Sequence, residues 1–269
     1  MPDGYRIERE GRSIGATISD INLDSIDART ADSLKTALQE HLVLFFRDQQ
    51  LNPSTLLRLA SKLGTPAPYP FVSGLQELPE VVEVVKEPEE KLNFGGVWHS
   101  DTAYLKMPTM GALLYGVEIP NYGGDTLFTN MYEVFDSLSP GMQRFLRSKT
   151  AVNDADNEAI SATRPESEKK GLRASHPVVR THPSTKQPLL YVNKAHTTRF
   201  DGMSEEESEP ILTFLFNRIM QPEFSCRFQW QRGSLAFWDN RACQHYPVND
   251  YHGERRKMLR ISLAGDIPY

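Results

Sequence analysis

Apolar positions change period along this chain, and each change predicts a different element. In "ADSLKTALQEH", Leu34, Ala37, Leu38 and His41 recur at helical spacing, which predicts an amphipathic helix with one buried stripe. "LVLFFRD" follows directly, and its unbroken apolar run predicts a strand buried in the core. "NPSTLLRLASKLG" then predicts a second helix, with Asn52 as N-cap, Pro53 at the first helical position and Gly64 as C-cap. After "VVEVVK" the pattern becomes short strands separated by turns. They are "VWHSDTAYL", "MGALLYGVEI", "GGDTLFTN", "HPVVRTH", "PLLYVN", "CRFQW", "SLAFWDN" and "RKMLRISLAG". Such spacing predicts an antiparallel sandwich or jelly roll, a mainly β fold with flanking helices. Helices interrupt it twice. "MYEVFDSLSPGMQRFLRS" predicts two short helices broken at Pro140, and "SEEESEPILTFLFNRIMQ" opens with a Ser204–Glu207 capping box. Residues 154–172 are polar and non-periodic, which reads as a surface insertion or as a lid over a site.

Composition narrows the class without naming a function. The 269 residues lack repeats and Gly/Ser linkers, so one domain over 1–269 is expected. Apolar residues make up 39% and charged residues 24%, a balance typical of soluble globular chains. A net charge of -5 argues against nucleic acid as partner. No apolar run approaches a membrane span, and "MPDGYRIEREGRS" lacks the pattern of a secretion signal. Cys226 and Cys243 then read as reduced thiols, and a cytoplasmic location is expected.

The chemistry enters with "WHSDTAY". On a strand His99 and Asp101 would point to one face, presenting an imidazole and a carboxylate side by side. A second histidine would complete the 2-His-1-carboxylate triad of non-haem Fe(II) sites, which leaves positions open for substrate and dioxygen. His41 lies on the apolar stripe of the first helix, His176 and His182 precede prolines at strand boundaries, and His252 sits in a turn. His196 and His245 remain. Late in the chain, Arg256, Met258 and Arg260 would share one face of a final strand, opposite Leu259. Two arginines on a core strand are costly unless anions pair with them: an internal aspartate, or a ligand carboxylate, sulfonate or phosphate.

"WHSDTAY", "GGDTLFTN", "HPVVRTHP", "WDNRACQHYPVNDY" and "RRKMLR" together resemble, in order, the motifs of the taurine/2,4-dichlorophenoxyacetate dioxygenase family. The resemblance runs from about residue 10 to the C-terminus. It implies a double-stranded β-helix (jelly-roll) core and an Fe(II)- and 2-oxoglutarate-dependent dioxygenase. By position, the metal ligands fall on His99, Asp101 and His245. The 2-oxoglutarate site falls on Thr126 and Arg256, with Arg256 holding the far carboxylate. Arg260 matches the position that holds the anionic end of the prime substrate in sulfonate-using members; lining the pocket as an ion-pair partner is the alternative. The resemblance implies that O2 and 2-oxoglutarate are consumed, succinate and CO2 released, and a C–H bond hydroxylated. Asp101 keeps the carboxylate that halogenating relatives lack, which favours hydroxylation. A homo-oligomer is also implied.

The substrate is less legible. Pro66 stands where taurine-using members have a histidine, and Gly95 and Gly96 replace their polar Asn-Asp run. Taurine itself is therefore not the expected substrate; a small organic acid, or an apolar molecule with one anionic end, is. His196, Tyr69, Asn93 and Thr102 are the expected substrate contacts, with Phe71, Phe94 and Tyr104 nearby in the motifs. Two other readings share the sequence. A catalytically silent jelly-roll binding protein would have no use for a complete triad, and a hydrolytic zinc site would have none for the Thr126–Arg256 anion site.

Overall fold

The computed structural model describes residues 4–161 and 171–269. Its strands, numbered in chain order, form two face-to-face sheets and two further ones. The larger sheet runs β1 (Arg6–Arg9), β2 (Ala16–Ser19), β3 (Val43–Phe46), β14 (Leu235–Asp239), β6 (Gly111–Glu118), β16 (Arg256–Leu263) and β4 (Pro66–Ala67), and β5 (Val81–Lys86) also pairs with β16. Facing it is a three-stranded sheet, β13 (Ser225–Phe228), β7 (Thr126–Asn130) and β15 (Cys243–Pro247). β12 (Thr197–Phe200), β8 (Thr150–Asp154) and β9 (Arg173–Pro177) form a third sheet, and β10 (Val179–Thr181) pairs with β11 (Pro188–Leu190). All these pairings are antiparallel except β2 with β3. This is the jelly-roll core that the turn spacing predicts.

The central strands of the large sheet are buried on both faces, which explains their unbroken apolar runs. Along β3, Val43 and Phe45 face the small sheet, while Leu44 and Phe46 face the first two helices. β14 divides likewise, with Ala236 and Trp238 on one side and Leu235 and Phe237 on the other. Between the sheets the Phe45 ring stacks on Phe228 at 4.0 Å and meets Phe128 at 5.6 Å. The outer face is covered by α1 (Ala28–His41) and α2 (Pro53–Leu63), which contribute Leu34, Leu38, Leu56, Leu59 and Leu63.

Helix limits follow local chemistry. Asn52 accepts from the Thr55 amide and Pro53 is the first helical residue of α2. Pro140 separates α3 (Met131–Asp136) from α4 (Pro140–Arg147). After the short α5 (Glu158–Ser161), α6 (Glu205–Ile219) opens with the Ser204–Glu207 capping box. Residues 162–170, the middle of the stretch read as insertion or lid, lie outside the described residues. No helix among the described residues is long and apolar enough to cross a membrane.

One expected strand is absent. "VWHSDTAYL" makes a single antiparallel bridge at His99 and then enters a tight turn through Asp101 to Tyr104. Thr102 takes a left-handed backbone, φ 55°. A β-branched residue adopts that conformation only where surrounding contacts impose it. Here the Thr102 hydroxyl receives the Thr109 amide at 2.9 Å, and the Asn240 carboxamide brackets the turn. Asn240 accepts from the Asp101 amide at 2.7 Å and donates to the carbonyls of Asp101 and Thr109 at 3.0 Å.

Candidate active site

The site lies between the two main sheets, where β15 and the bridge at His99 meet the inner face of β16. His99 and His245 are held by reciprocal backbone hydrogen bonds, 3.1 Å and 3.0 Å. Their rings lie 4.1 Å apart between centroids. His99 Nδ1 sits 2.7 Å from the Val97 carbonyl, an arrangement in which Nδ1 carries the proton and donates, leaving Nε2 as a lone-pair donor. Asp101 Oδ1 lies 3.7 Å from His99 Nε2 and 4.0 Å from His245 Nε2. The turn that replaced the expected strand therefore brings His99 and Asp101 together by a different route.

Gly95 closes the outer side of His99. It has φ +76°, and a methyl group there would stand 2.8 Å from His99 Cε1. The glycine that departs from the taurine pattern thus allows the 93–97 segment to pack on a metal-ligand ring.

All three ligand side chains are buried, and their ligand atoms lie within 4.8 Å of one another. Burial pushes the His99 and His245 imidazoles below their ordinary range, and each is held neutral. Burial alone would raise Asp101, but the charge and hydrogen bond of Arg260 outweigh it, and its carboxyl stays well below the usual range. Neutral imidazoles and an ionised carboxylate are the protonation states that a divalent cation requires. Asp101 Oδ2 and His245 Nδ1 are buried without a hydrogen-bond partner among the described residues, a costly arrangement unless another group joins the site. This donor set fits Fe(II).

Arg260 extends from β16 into the same space. Its Nη2 lies 2.6 Å from Asp101 Oδ1, and its Cζ lies 5.1 Å from the Tyr69 ring and 5.8 Å from Trp238. Arg256 lies four residues earlier on the same face of β16. Its Nε and Nη2 meet no hydrogen-bond partner among the described residues, and its Cζ stands 5.7 Å from the Trp230 ring. Trp230 Nε1 donates to Thr126 Oγ1 at 2.9 Å. That bond occupies an acceptor position of the hydroxyl and leaves its proton to be donated elsewhere. Gly124, with φ +69°, lets the "GGDT" turn approach; a Cβ there would stand 3.3 Å from Arg256 Cδ.

His99, His245, Thr126, Arg256 and Arg260 line one cleft with Phe94. Over residues 6–262 the chain matches the family described as "Taurine catabolism dioxygenase TauD, TfdA family". The chain belongs to that family. An alkylsulfatase of Acinetobacter baylyi is 33% identical over 267 residues, spanning 94% of this chain and 83% of that protein. An alpha-ketoglutarate-dependent sulfate ester dioxygenase of Pseudomonas putida is 28% identical over 268 residues, spanning 95% and 88%. Among solved structures, a taurine dioxygenase from Burkholderia xenovorans is similar with TM-score 0.86 at 30% identity, covering 98% of this chain and 91% of that one. The structure of AAD-2 in complex with Mn(II) and N-oxalylglycine shares the fold, with TM-score 0.87 at 22% identity. As a TauD/TfdA member with the His-Asp-His triad assembled, this protein is an Fe(II)- and 2-oxoglutarate-dependent dioxygenase.

Other residues singled out in the sequence occupy varied positions around this dioxygenase site. Tyr69 stands against Arg260 and meets Phe94 edge-on at 5.8 Å. His196 is buried, with its ring 4.9 Å from Tyr104, which in turn meets Phe71 at 5.5 Å. Asn93 donates to the Pro247 carbonyl at 2.9 Å and lines a small cavity behind Arg256. The Thr102 hydroxyl is engaged within the turn described above. Trp230, Tyr251 and Asn240 escaped the sequence reading. Trp230 carried a signal, because a buried indole N–H needs an acceptor; the other two become legible only from contacts distant in sequence.

Proposed function

We propose that this dioxygenase hydroxylates alkyl sulfate esters at the carbon bearing the ester oxygen. The observation that carries this reading is Arg260, a buried guanidinium beside the triad with its Nε lacking a hydrogen-bond partner among the described residues. Arg260 Nη2 pairs with Asp101, and the rest of its planar donor fork is left to meet a second anion such as a tetrahedral sulfate head. The names of the two relatives above, an alkylsulfatase and a sulfate ester dioxygenase, support the same class. Phe94 lines the cleft and meets Tyr69 edge-on beside Arg260, an aromatic surface that suits an alkyl chain better than the ammonium of taurine.

In this reading His99, Asp101 and His245 hold iron. Arg256 pairs with the far carboxylate of 2-oxoglutarate, and the Thr126 hydroxyl, fixed by Trp230, donates to it. Iron, 2-oxoglutarate and O2 supply the oxidising chemistry when bound, yielding succinate and CO2. The protein orients the substrate, Arg260 fixing its head so that the adjacent carbon lies toward the triad, and the aromatic wall excludes water. Insertion of one oxygen atom converts R–CH2–O–SO3⁻ to R–CH(OH)–O–SO3⁻. That carbon bears a hydroxyl and a good leaving group; loss of the hydroxyl proton forms the aldehyde as the C–O bond breaks and sulfate departs. A dioxygenase thus acts as an alkylsulfatase without hydrolysing the ester.

The test measures succinate formation together with sulfate release from medium-chain alkyl sulfates and sulfite release from alkyl sulfonates and taurine. Coupled release from alkyl sulfates is expected, with taurine at least about tenfold slower. Arg260→Gln should raise the KM for alkyl sulfate about a hundredfold while leaving that for 2-oxoglutarate within about twofold. Taurine turnover equal to that of alkyl sulfates would overturn the substrate assignment. A shift in the 2-oxoglutarate KM alone would overturn the role given to Arg260.

A further inference from the structure

A second buried cation stands beside Arg256. In the register of β5 against β16, Lys86 lies directly opposite Arg256. Directly paired residues of an antiparallel ladder project from the same face, with Cβ atoms about 5 Å apart. Both side chains are buried, Lys86 with 4% of its surface exposed. Its Nζ meets no hydrogen-bond partner among the described residues and rests 4.5 Å from the Tyr251 ring. The same ring lies 5.9 Å from Arg256 Cζ, so one aromatic residue serves both cations.

Nearby carboxylates are already engaged. Asp125 pairs with Arg227 at 2.6 Å, and Asp250 accepts the Gly124 amide at 2.8 Å. Lys86 and Arg256 line a cavity of about 20 Å³ that shares Val84, Phe94, Pro247 and Arg256 with the main cleft. The shared lining places Lys86 next to the main cleft through Arg256.

Resting on the assignment of Arg256 to the far carboxylate of 2-oxoglutarate, we infer that Lys86 is a second cation for that carboxylate and selects dicarboxylic over monocarboxylic 2-oxo acids. Two like charges side by side in a buried pocket repel. A carboxylate relieves that repulsion, whereas an alkyl end leaves it in place. Arg256 alone would recognise the carboxylate by its fork; Lys86 deepens the discrimination by charge.

The test uses the Mn(II)-loaded protein and calorimetric titration, so that no turnover is needed. N-oxalylglycine serves as the unreactive dicarboxylate, and 2-oxopentanoate as the ligand of equal length ending in a methyl group. Lys86→Met should weaken N-oxalylglycine about tenfold and leave 2-oxopentanoate within about twofold; Lys86→Arg should restore most of the loss. In turnover assays the KM for 2-oxoglutarate should rise with kcat unchanged. Unchanged N-oxalylglycine affinity, or parallel losses for both ligands, would overturn the inference in favour of a packing role on Tyr251. Should Lys86→Met fail to fold, Lys86→Gln takes its place with the same expectations. Arg256→Gln separates the two levels. If that variant binds N-oxalylglycine like the unsubstituted protein, the placement of the far carboxylate fails; if it loses binding while Lys86→Met does not, the role of Lys86 alone fails.

Discussion

At the scale of single residues, the triad depends on a neighbour that carries no functional group. Gly95 has a left-handed backbone, and its missing side chain leaves room for the His99 ring. Gly95→Ala adds both backbone strain and a contact at 2.8 Å to His99 Cε1. Metal affinity should fall about ten- to a hundredfold, the range found when groups that orient a ligand are altered. Competition titration with a coloured chelator would measure it. Affinity equal to that of the unsubstituted protein would mean that the 93–97 segment yields without moving His99.

At the scale of elements, β16 does two jobs on two faces. Arg256, Met258 and Arg260 project between the sheets, whereas Leu259, Ile261 and Leu263 pack under α1 and α2. The alternation is the period-2 geometry of a strand, and a slip of one residue would bury the arginines beneath the helices. Leu259→Ala removes a buried side chain from the helical face. It should cost about 2–5 kcal/mol of stability in denaturant unfolding. Metal affinity of the folded variant should stay within about twofold. A large loss of affinity at full stability would show that the two faces are not separable.

For the molecule as a whole, a buried ionic cluster ties distant segments together. Asp239 at the end of β14 accepts from Arg241 Nε at 2.8 Å and Nη2 at 2.6 Å, and from His182 Nε2 at 3.0 Å. His182 Nδ1 accepts the Thr185 amide at 3.1 Å, which places the ring proton on Nε2. Burial by itself would raise Asp239, but the hydrogen bonds from Arg241 and His182 hold its carboxyl far below 3.8. A carboxyl depressed in the folded state contributes stability above its unfolded value and loses it as pH falls through the folded one. Asp239→Asn should therefore lower the Tm most near neutral pH, and the gap should narrow as pH drops below 3.8. Calorimetry across that range tests the sign; a gap that widens in acid would overturn it.

Read alone, the chain determined its periodic elements and the residue types of its chemistry. Alternation in "RKMLRIS", the caps of α2 and α6, and the break at Pro140 are local, because a strand or cap depends on neighbours a few residues away. The triad was legible through resemblance; from the residues themselves His196 and His245 both remained, with His245 in the more suggestive surroundings. Tertiary structure decided between them by pairing His99 with His245 across a backbone bridge. It also replaced the expected strand at His99 with a turn, because Asn240, 139 residues from Asp101, supplies the hydrogen bonds that hold it. Lys86 beside Arg256 is a fact of register, and register is set by how whole strands bury their faces, which no local pattern contains.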